Sequence, residues 1–234
     1  MNPRVPSNLN PYCREVLEQL SHDPRSQSII IGGGVALNHY IEHRTTVDFD
    51  GWWKTHEDPN ALKAIQAVLE KIANRDGLTV SKRAWGDVAS LELKTPDGHK
   101  LFSVQMAVRS KSLQQPIDSP WEGIKIETLH DNIASKMVAL VNRSAPRDFM
   151  DIYTLCSRKA ITEKECWQLY LSKTEATQED LHAAKTRVAV KMQDLTKRRP
   201  LHSISDLKER SQADLVRQWV HTKLCQDHAC KMEP

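Results

Sequence analysis

A run of mostly β-branched residues, Ser28-Ile29-Ile30-Ile31, stops at Gly32-Gly33-Gly34, and apolar residues at helical spacing follow at Val35, Leu37 and Ile41. Branched side chains suit a buried strand and three glycines in succession cannot extend it, so the segment predicts a strand, a glycine turn and a helix. Arg44-Thr45-Thr46 is expected to end that helix. Val47-Asp48-Phe49-Asp50 then alternates apolar and acidic side chains, the signature of a second strand with both aspartates on one face.

The remaining pattern fills in a mixed sheet. Leu62, Ile65, Val68, Leu69 and Ile72 mark a helix over 60–74 that closes at Asp76-Gly77. Residues 78–82, 87–94 and 100–108 read as strands, with Pro96-Asp97-Gly98 turning the chain between the last two. Tyr12, Val16, Leu17 and Leu20 predict a helical cap within the first 22 residues. From Leu129 onward the periodicity is helical only, over 129–142, 146–157 and several later segments. The expected fold class is α+β: a mixed, twisted sheet flanked by helices in a core over 1–125, then a helical C-terminal domain over 126–234.

With 39% hydrophobic and 27% charged residues, the chain can bury a core. It contains no apolar run near the ~18 residues a membrane helix needs, and its start, MNPRVPSNLNPYC, lacks the apolar centre of a signal peptide. A cytoplasmic protein with no membrane partner is the expectation. The five cysteines (13, 156, 166, 225 and 230) are odd in number and form no CxxC pair, so reduced thiols are expected. His221, Cys225, His228 and Cys230 could supply four zinc ligands, although their spacing fits no standard finger. A net charge of +3 neither demands nor repels a nucleic acid. Charge is clustered at Lys185, Arg187, Lys191, Lys197, Arg198 and Arg199, where it can track an RNA backbone or simply coat a solvated helix.

Residues i and i+2 on a strand bring two carboxylates within reach of one hard cation, so Asp48 and Asp50 are the candidate metal ligands and magnesium the expected ion. Gly32, Gly33 and Gly34 permit close approach of a phosphate, toward which the following helix directs its N-terminal amides. The Rossmann fingerprint is not met, because Leu37 stands where its third glycine belongs. On the helix over 129–142, Lys136 lies near the edge of the apolar stripe, either as a phosphate clamp or as a lysine that snorkels to water. On the next helix the projection puts Asp148 at the edge of the buried side and turns Asp151 toward solvent. Asp148 is therefore the expected active-site group, holding Lys136 or acting as a base.

Four stretches together resemble the AbiEii/AbiGii type of nucleotidyltransferase toxin, of the DNA polymerase beta-like nucleotidyltransferase superfamily. They are Gly32-Gly33-Gly34-Val35-Ala36-Leu37, Arg44-Thr45-Thr46-Val47-Asp48-Phe49-Asp50, Ala134-Ser135-Lys136-Met137-Val138-Ala139-Leu140 and Arg147-Asp148-Phe149-Met150-Asp151-Ile152-Tyr153. The resemblance implies a polymerase beta-like core in which the glycine turn and Arg44 contact a nucleoside triphosphate. It further implies that Asp48 and Asp50 bind magnesium and that Lys136 and Asp148 complete the site. Gly34 departs from the serine or threonine usual in the family. A third carboxylate is sought at Glu92, beside the non-acidic Gln105.

The implied activity transfers a nucleoside monophosphate from the triphosphate to an acceptor hydroxyl, with release of pyrophosphate. RNA, in particular tRNA, is the implied acceptor, and an antitoxin the implied partner. Nucleotidylation of a protein or small molecule, and a non-catalytic regulator that binds nucleotide or RNA, are the alternatives.

Overall fold

Seven strands among the described residues build one sheet: β1 (Ile29–Ile31), β2 (Asp48–Trp53), β3 (Thr79–Trp85), β4 (Val88–Lys94), β5 (Lys100–Val108), β6 (Ile117–Asp118) and β7 (Lys125–Ile126). The computed structural model describes residues 1–109 and 111–226. The strand order is β3-β4-β5-β2-β1-β7-β6. β1 runs antiparallel to β2 and parallel to β7, β2 runs parallel to β5, and the remaining pairs are antiparallel. The sheet is thus mixed, as the hairpin and glycine-turn patterns predict. β1 is buried along its whole length, in keeping with its three isoleucines. β6 and β7 escape sequence reading because two residues are too few to display a period of 2.

Alternation gives the sheet two unlike faces. One carries Phe49 and Trp53 of β2, Leu91 and Leu93 of β4, and Phe102, Val104 and Met106 of β5, all in a single apolar cluster. Helices α1 (Pro11–Ser21) and α3 (Pro59–Asp76) supply Cys13, Val16, Leu17, Leu20, Ile65, Leu69 and Ile72 to the same cluster. Asn10 starts α1 by accepting the Tyr12 amide at 2.9 Å, and Asp58 starts α3 by accepting the Asn60 amide at 2.9 Å. The opposite face presents Asp48, Asp50 and Trp52, each half-buried. Their in-register neighbours on β5 are Ser103, Gln105 and Ala107.

Helix α2 (Gly33–Tyr40) ends earlier than its sequence suggests. Ile41 is already extended, with φ −138° and ψ 107°, so Arg44-Thr45-Thr46 belongs to an irregular link into β2. The β-branched Thr45 and Thr46 favour that outcome. Thr46 Oγ1 accepts the Asp48 amide at 3.3 Å and fixes the entry to β2.

The chain divides into two compact units, the first over Met1–Asn132 and the second from Ile133 onward. The division falls within α4 (Leu129–Asn142). The second unit continues with α5 (Pro146–Ser157), α6 (Glu163–Thr174), α7 (Gln178–Arg198) and α8 (Leu207–Trp219), closed by a π-helical turn over Val220–Leu224. Its interior is formed by Met137, Leu140, Phe149, Ile152, Leu155, Val188, Met192, Val216 and Trp219, all buried. The Trp167 indole N–H donates to the Leu224 carbonyl at 2.8 Å and ties α6 to that turn.

Phe49 is fully buried between the two acids, on the opposite face of their strand. Phe49→Ala is expected to lower unfolding free energy by about 3–5 kcal/mol, read from urea denaturation.

Candidate active site

The glycine turn is defined by what packs against it. A methyl group at Gly32 would come within 2.1 Å of the Trp52 indole nitrogen. At Gly33, where φ is +58°, it would come within 2.2 Å of Asp50 Oδ2. Residues with side chains are disfavoured at such a φ, so Gly33 is required both by backbone conformation and by the carboxylate lying on it. At Gly34 the nearest atom to such a methyl would be Arg44 Nη2 at 3.4 Å, an ordinary contact. A β-carbon is therefore accommodated at Gly34, unlike at Gly32 and Gly33.

Two of the turn's amides have protein partners. Gly32 N–H donates to the Asp50 carbonyl at 2.9 Å, and Gly33 N–H donates to Glu127 Oε1 at 2.9 Å. Of the three glycines expected to lie against phosphate, Gly32 and Gly33 thus commit their amides within the protein. Gly34 and Val35 are the next positions of α2, and helix geometry leaves their amides without an intrahelical acceptor. Arg44 lies on the Gly34 side of the turn and Asp50 on the Gly33 side.

Asp48 and Asp50 share the polar face of β2. Asp48 Oδ1 accepts from Lys100 Nζ and from Ser103 Oγ, both at 2.7 Å. Gln105 stands in register with Asp50, where an acid would have made a third ligand. Glu92 is in register with Ser103, two strands from Asp48, which is about 10 Å at normal strand spacing. It is engaged by Lys94 at 2.7 Å, whose hydrogen bond is the chief cause holding the Glu92 carboxyl below the usual carboxylate range. No group of three or more His, Cys, Asp or Glu capable of holding a metal occurs among the described residues. The candidate donors on this face are the carboxylates of Asp48 and Asp50. That suits magnesium, which binds through one or two carboxylates and completes its shell with water and substrate phosphate.

In the second unit, Lys136 Nζ lies 2.6 Å from Asp151 Oδ2, with Lys136 8% exposed and Asp151 fully buried. Asp148 is also fully buried, but its partners are Arg143, at 2.8 and 2.9 Å, and the Ala145 amide at 3.2 Å.

A model of the AbiEii family, described as the nucleotidyl transferase AbiEii toxin of the type IV toxin-antitoxin system, matches residues 15–220. The chain belongs to this family. No curated protein sequence matches it. AbiEii membership makes nucleotidyl transfer within a toxin-antitoxin system the activity class of this chain, and no described helix is long and apolar enough to cross a membrane.

In this AbiEii-family chain the expected pairing of Lys136 with Asp148 is incorrect, because Asp151 makes it. The helical projection turned Asp151 toward solvent on the assumption that the polar arc of α5 faces water. That arc instead faces the Lys136 ammonium from α4, while Asp148 ties off the link between the two helices. The basic stretch on α7 is also partly occupied. Lys191 donates to the Val141 carbonyl at 3.3 Å and to that of Asn142, where α4 ends. Arg199 pairs with Glu209 at 2.8 Å, and Lys185 donates to the Gln226 carbonyl at 3.2 Å. Of the four proposed zinc ligands, His221 and Cys225 lie in and just after the π-helical turn, and His228 and Cys230 lie outside the described residues.

The sequence reading missed Glu127, Arg109 and Asn132. Glu127 is fully buried and pairs with Arg109 at 2.8 Å. Burial raises its carboxyl above the ordinary range, against the pull of Arg109, Asn132, Trp52 and the Gly33 amide. No local pattern marks it: it follows a two-residue strand, and Gly33 and Trp52, which it meets, lie 94 and 75 positions away.

Gly33→Ala is expected to lose at least about 1–3 kcal/mol from backbone strain alone, whereas Gly34→Ser stays within about 1 kcal/mol of the parent, both read from thermal unfolding. Asp151→Ala leaves the Lys136 ammonium buried without its carboxylate and should lower stability by about 3–5 kcal/mol, with most of the loss recovered in Lys136→Met/Asp151→Leu.

Proposed function

We propose that this chain transfers a nucleoside monophosphate from a nucleoside triphosphate to an acceptor hydroxyl, using magnesium held by Asp48 and Asp50. The observation that carries the reading is the approach of the Asp50 carboxylate to Gly33, with Arg44 beside Gly34. A negative group for the metal and a positive group for phosphate thus flank the same turn. The amides of Gly34 and Val35, at the positive end of α2, and the Arg44 guanidinium bind the triphosphate. Lys100 pairs with Asp48, which together with Asp50 would hold the magnesium. In the second unit Lys136, oriented by Asp151, is the residue to which the family resemblance assigns the offsetting of charge on phosphate oxygens.

The acceptor oxygen forms a bond to the α-phosphorus as the bond to the bridging oxygen of pyrophosphate breaks, and the hydroxyl proton is lost. Magnesium, when bound, supplies Lewis-acid polarisation of the attacked phosphate. The protein's share is positioning and charge complementarity. RNA, and tRNA within it, is the acceptor we favour. Support comes from the family setting and from Arg187, Lys197 and Arg198, which stay exposed on α7. A partner antitoxin follows from the same setting, and a cytoplasmic site of action from the nature of the substrates.

Incubation with α-labelled triphosphates and total cell RNA or protein should label RNA. Asp48→Ala and Asp50→Ala should each reduce labelling by about 10²–10³-fold, the scale of losing a preorganised electrostatic element. They should also weaken Mn2+ binding, measured by electron paramagnetic resonance. Label on protein would redirect the acceptor. Growth arrest that survives Asp48→Ala with no label anywhere would favour a non-catalytic regulator, a reading to which Gln105 in place of a third acid lends some weight.

A further inference from the structure

The buried Glu127 carboxylate has a different set of partners at each oxygen. Oε1 accepts the Gly33 amide at 2.9 Å and the Asn132 side-chain amide at 2.5 Å. Oε2 accepts the Trp52 indole N–H at 3.1 Å and pairs with Arg109 Nη2 at 2.8 Å. Every partner is a donor, so the ionised carboxylate is the form this geometry accommodates. The Asn132 amide also donates to the Gly33 carbonyl at 2.8 Å. Gly33 is therefore gripped through its N–H by Glu127 and through its C=O by Asn132.

The grip acts on the residue that needs it most. Gly33 carries a positive φ, and its Cα is the surface on which Asp50 Oδ2 rests. Trp52, two residues beyond Asp50 on β2, is bound to the same carboxylate. Arg109 lies over the Trp52 ring at 5.8 Å and also pairs with Asp131 at 3.0 Å. Asp131 in turn accepts the Leu113 and Gln114 amides, which fixes the strand-exit loop that carries Arg109. One carboxylate thus joins the glycine turn to the acid-bearing strand.

We propose that Glu127 is a positioning residue for the metal site, setting the separation between the Gly33 backbone and the Asp50 carboxylate, with Asn132 as its accessory. The proposal rests on the metal reading of Asp48 and Asp50 given above. It assigns Glu127 no contact with metal or nucleotide. A neutral acceptor at Oε1 keeps the grip on Gly33, whereas an apolar side chain of similar size releases it.

The test is Mn2+ titration of the full chain by electron paramagnetic resonance, with folding followed by circular dichroism. Glu127→Gln/Arg109→Met retains the acceptor for Gly33 without leaving a buried cation, and should bind Mn2+ within about threefold of the parent. Glu127→Leu/Arg109→Met removes the acceptor and should bind about 10–100-fold more weakly, the range for residues that orient metal ligands. If that variant does not fold, Asn132→Ala takes its place, with binding weakened about tenfold expected. A folded Leu/Met variant, or Asn132→Ala, that binds Mn2+ as tightly as the parent overturns the proposal, as does a Gln/Met variant no better than Leu/Met. A parent chain that binds no Mn2+, or binds it equally well after Asp48→Ala/Asp50→Ala, overturns the metal reading itself and this proposal with it.

Discussion

A carboxylate removed from water survives only where donors replace its hydration, and Glu127 has such donors on both oxygens. Because they come from the glycine turn, β2, the exit of β5 and the start of α4, satisfying one buried charge fixes four chain segments against each other. The polar face of the first unit depends on this. Without the anion, Arg109 would lose its 2.8 Å ion pair to Glu127, and Gly33 would keep its unusual backbone without the hydrogen bond from its amide to that carboxylate.

The other face of the same sheet obeys a simpler rule. Phe49, Trp53, Phe102, Val104 and Met106 bury apolar area against α1 and α3, and strand alternation then obliges Asp48 and Asp50 to emerge on the far side. Packing on one side thus sets chemistry on the other. The neighbouring strand contributes Ser103 and Gln105 rather than a further acid beside Asp48 and Asp50, and Asp48 has a hydroxyl and an ammonium as partners.

In the second unit, two aspartates one helical turn apart have separate roles. Asp148 takes Arg143 and the Ala145 amide at the start of α5, a task of chain connection. Asp151 holds the Lys136 ammonium in a buried ion pair, where low polarity strengthens the attraction and keeps the lysine in one orientation. The helical wheel shows which arc of α5 is polar, but not whether that arc meets water or another helix.

Local sequence was sufficient for the succession of strand, glycine turn and helix from Ile29, though not for where that helix ends, for the alternating acids of β2, for the β4–β5 hairpin and for the limits of α4 and α5. Each of these is governed by periodicity or turn chemistry within a few residues. The motif order was likewise enough to indicate the AbiEii family. Tertiary structure alone decided which turn amides are committed, that Asp151 rather than Asp148 holds Lys136, and that Glu127, Arg109 and Asn132 form a buried network. Those outcomes depend on groups up to 99 positions apart, as Asn132 and Gly33 are. A buried polar group is matched by whichever donor folding brings to it, and no spacing rule along the chain records that match.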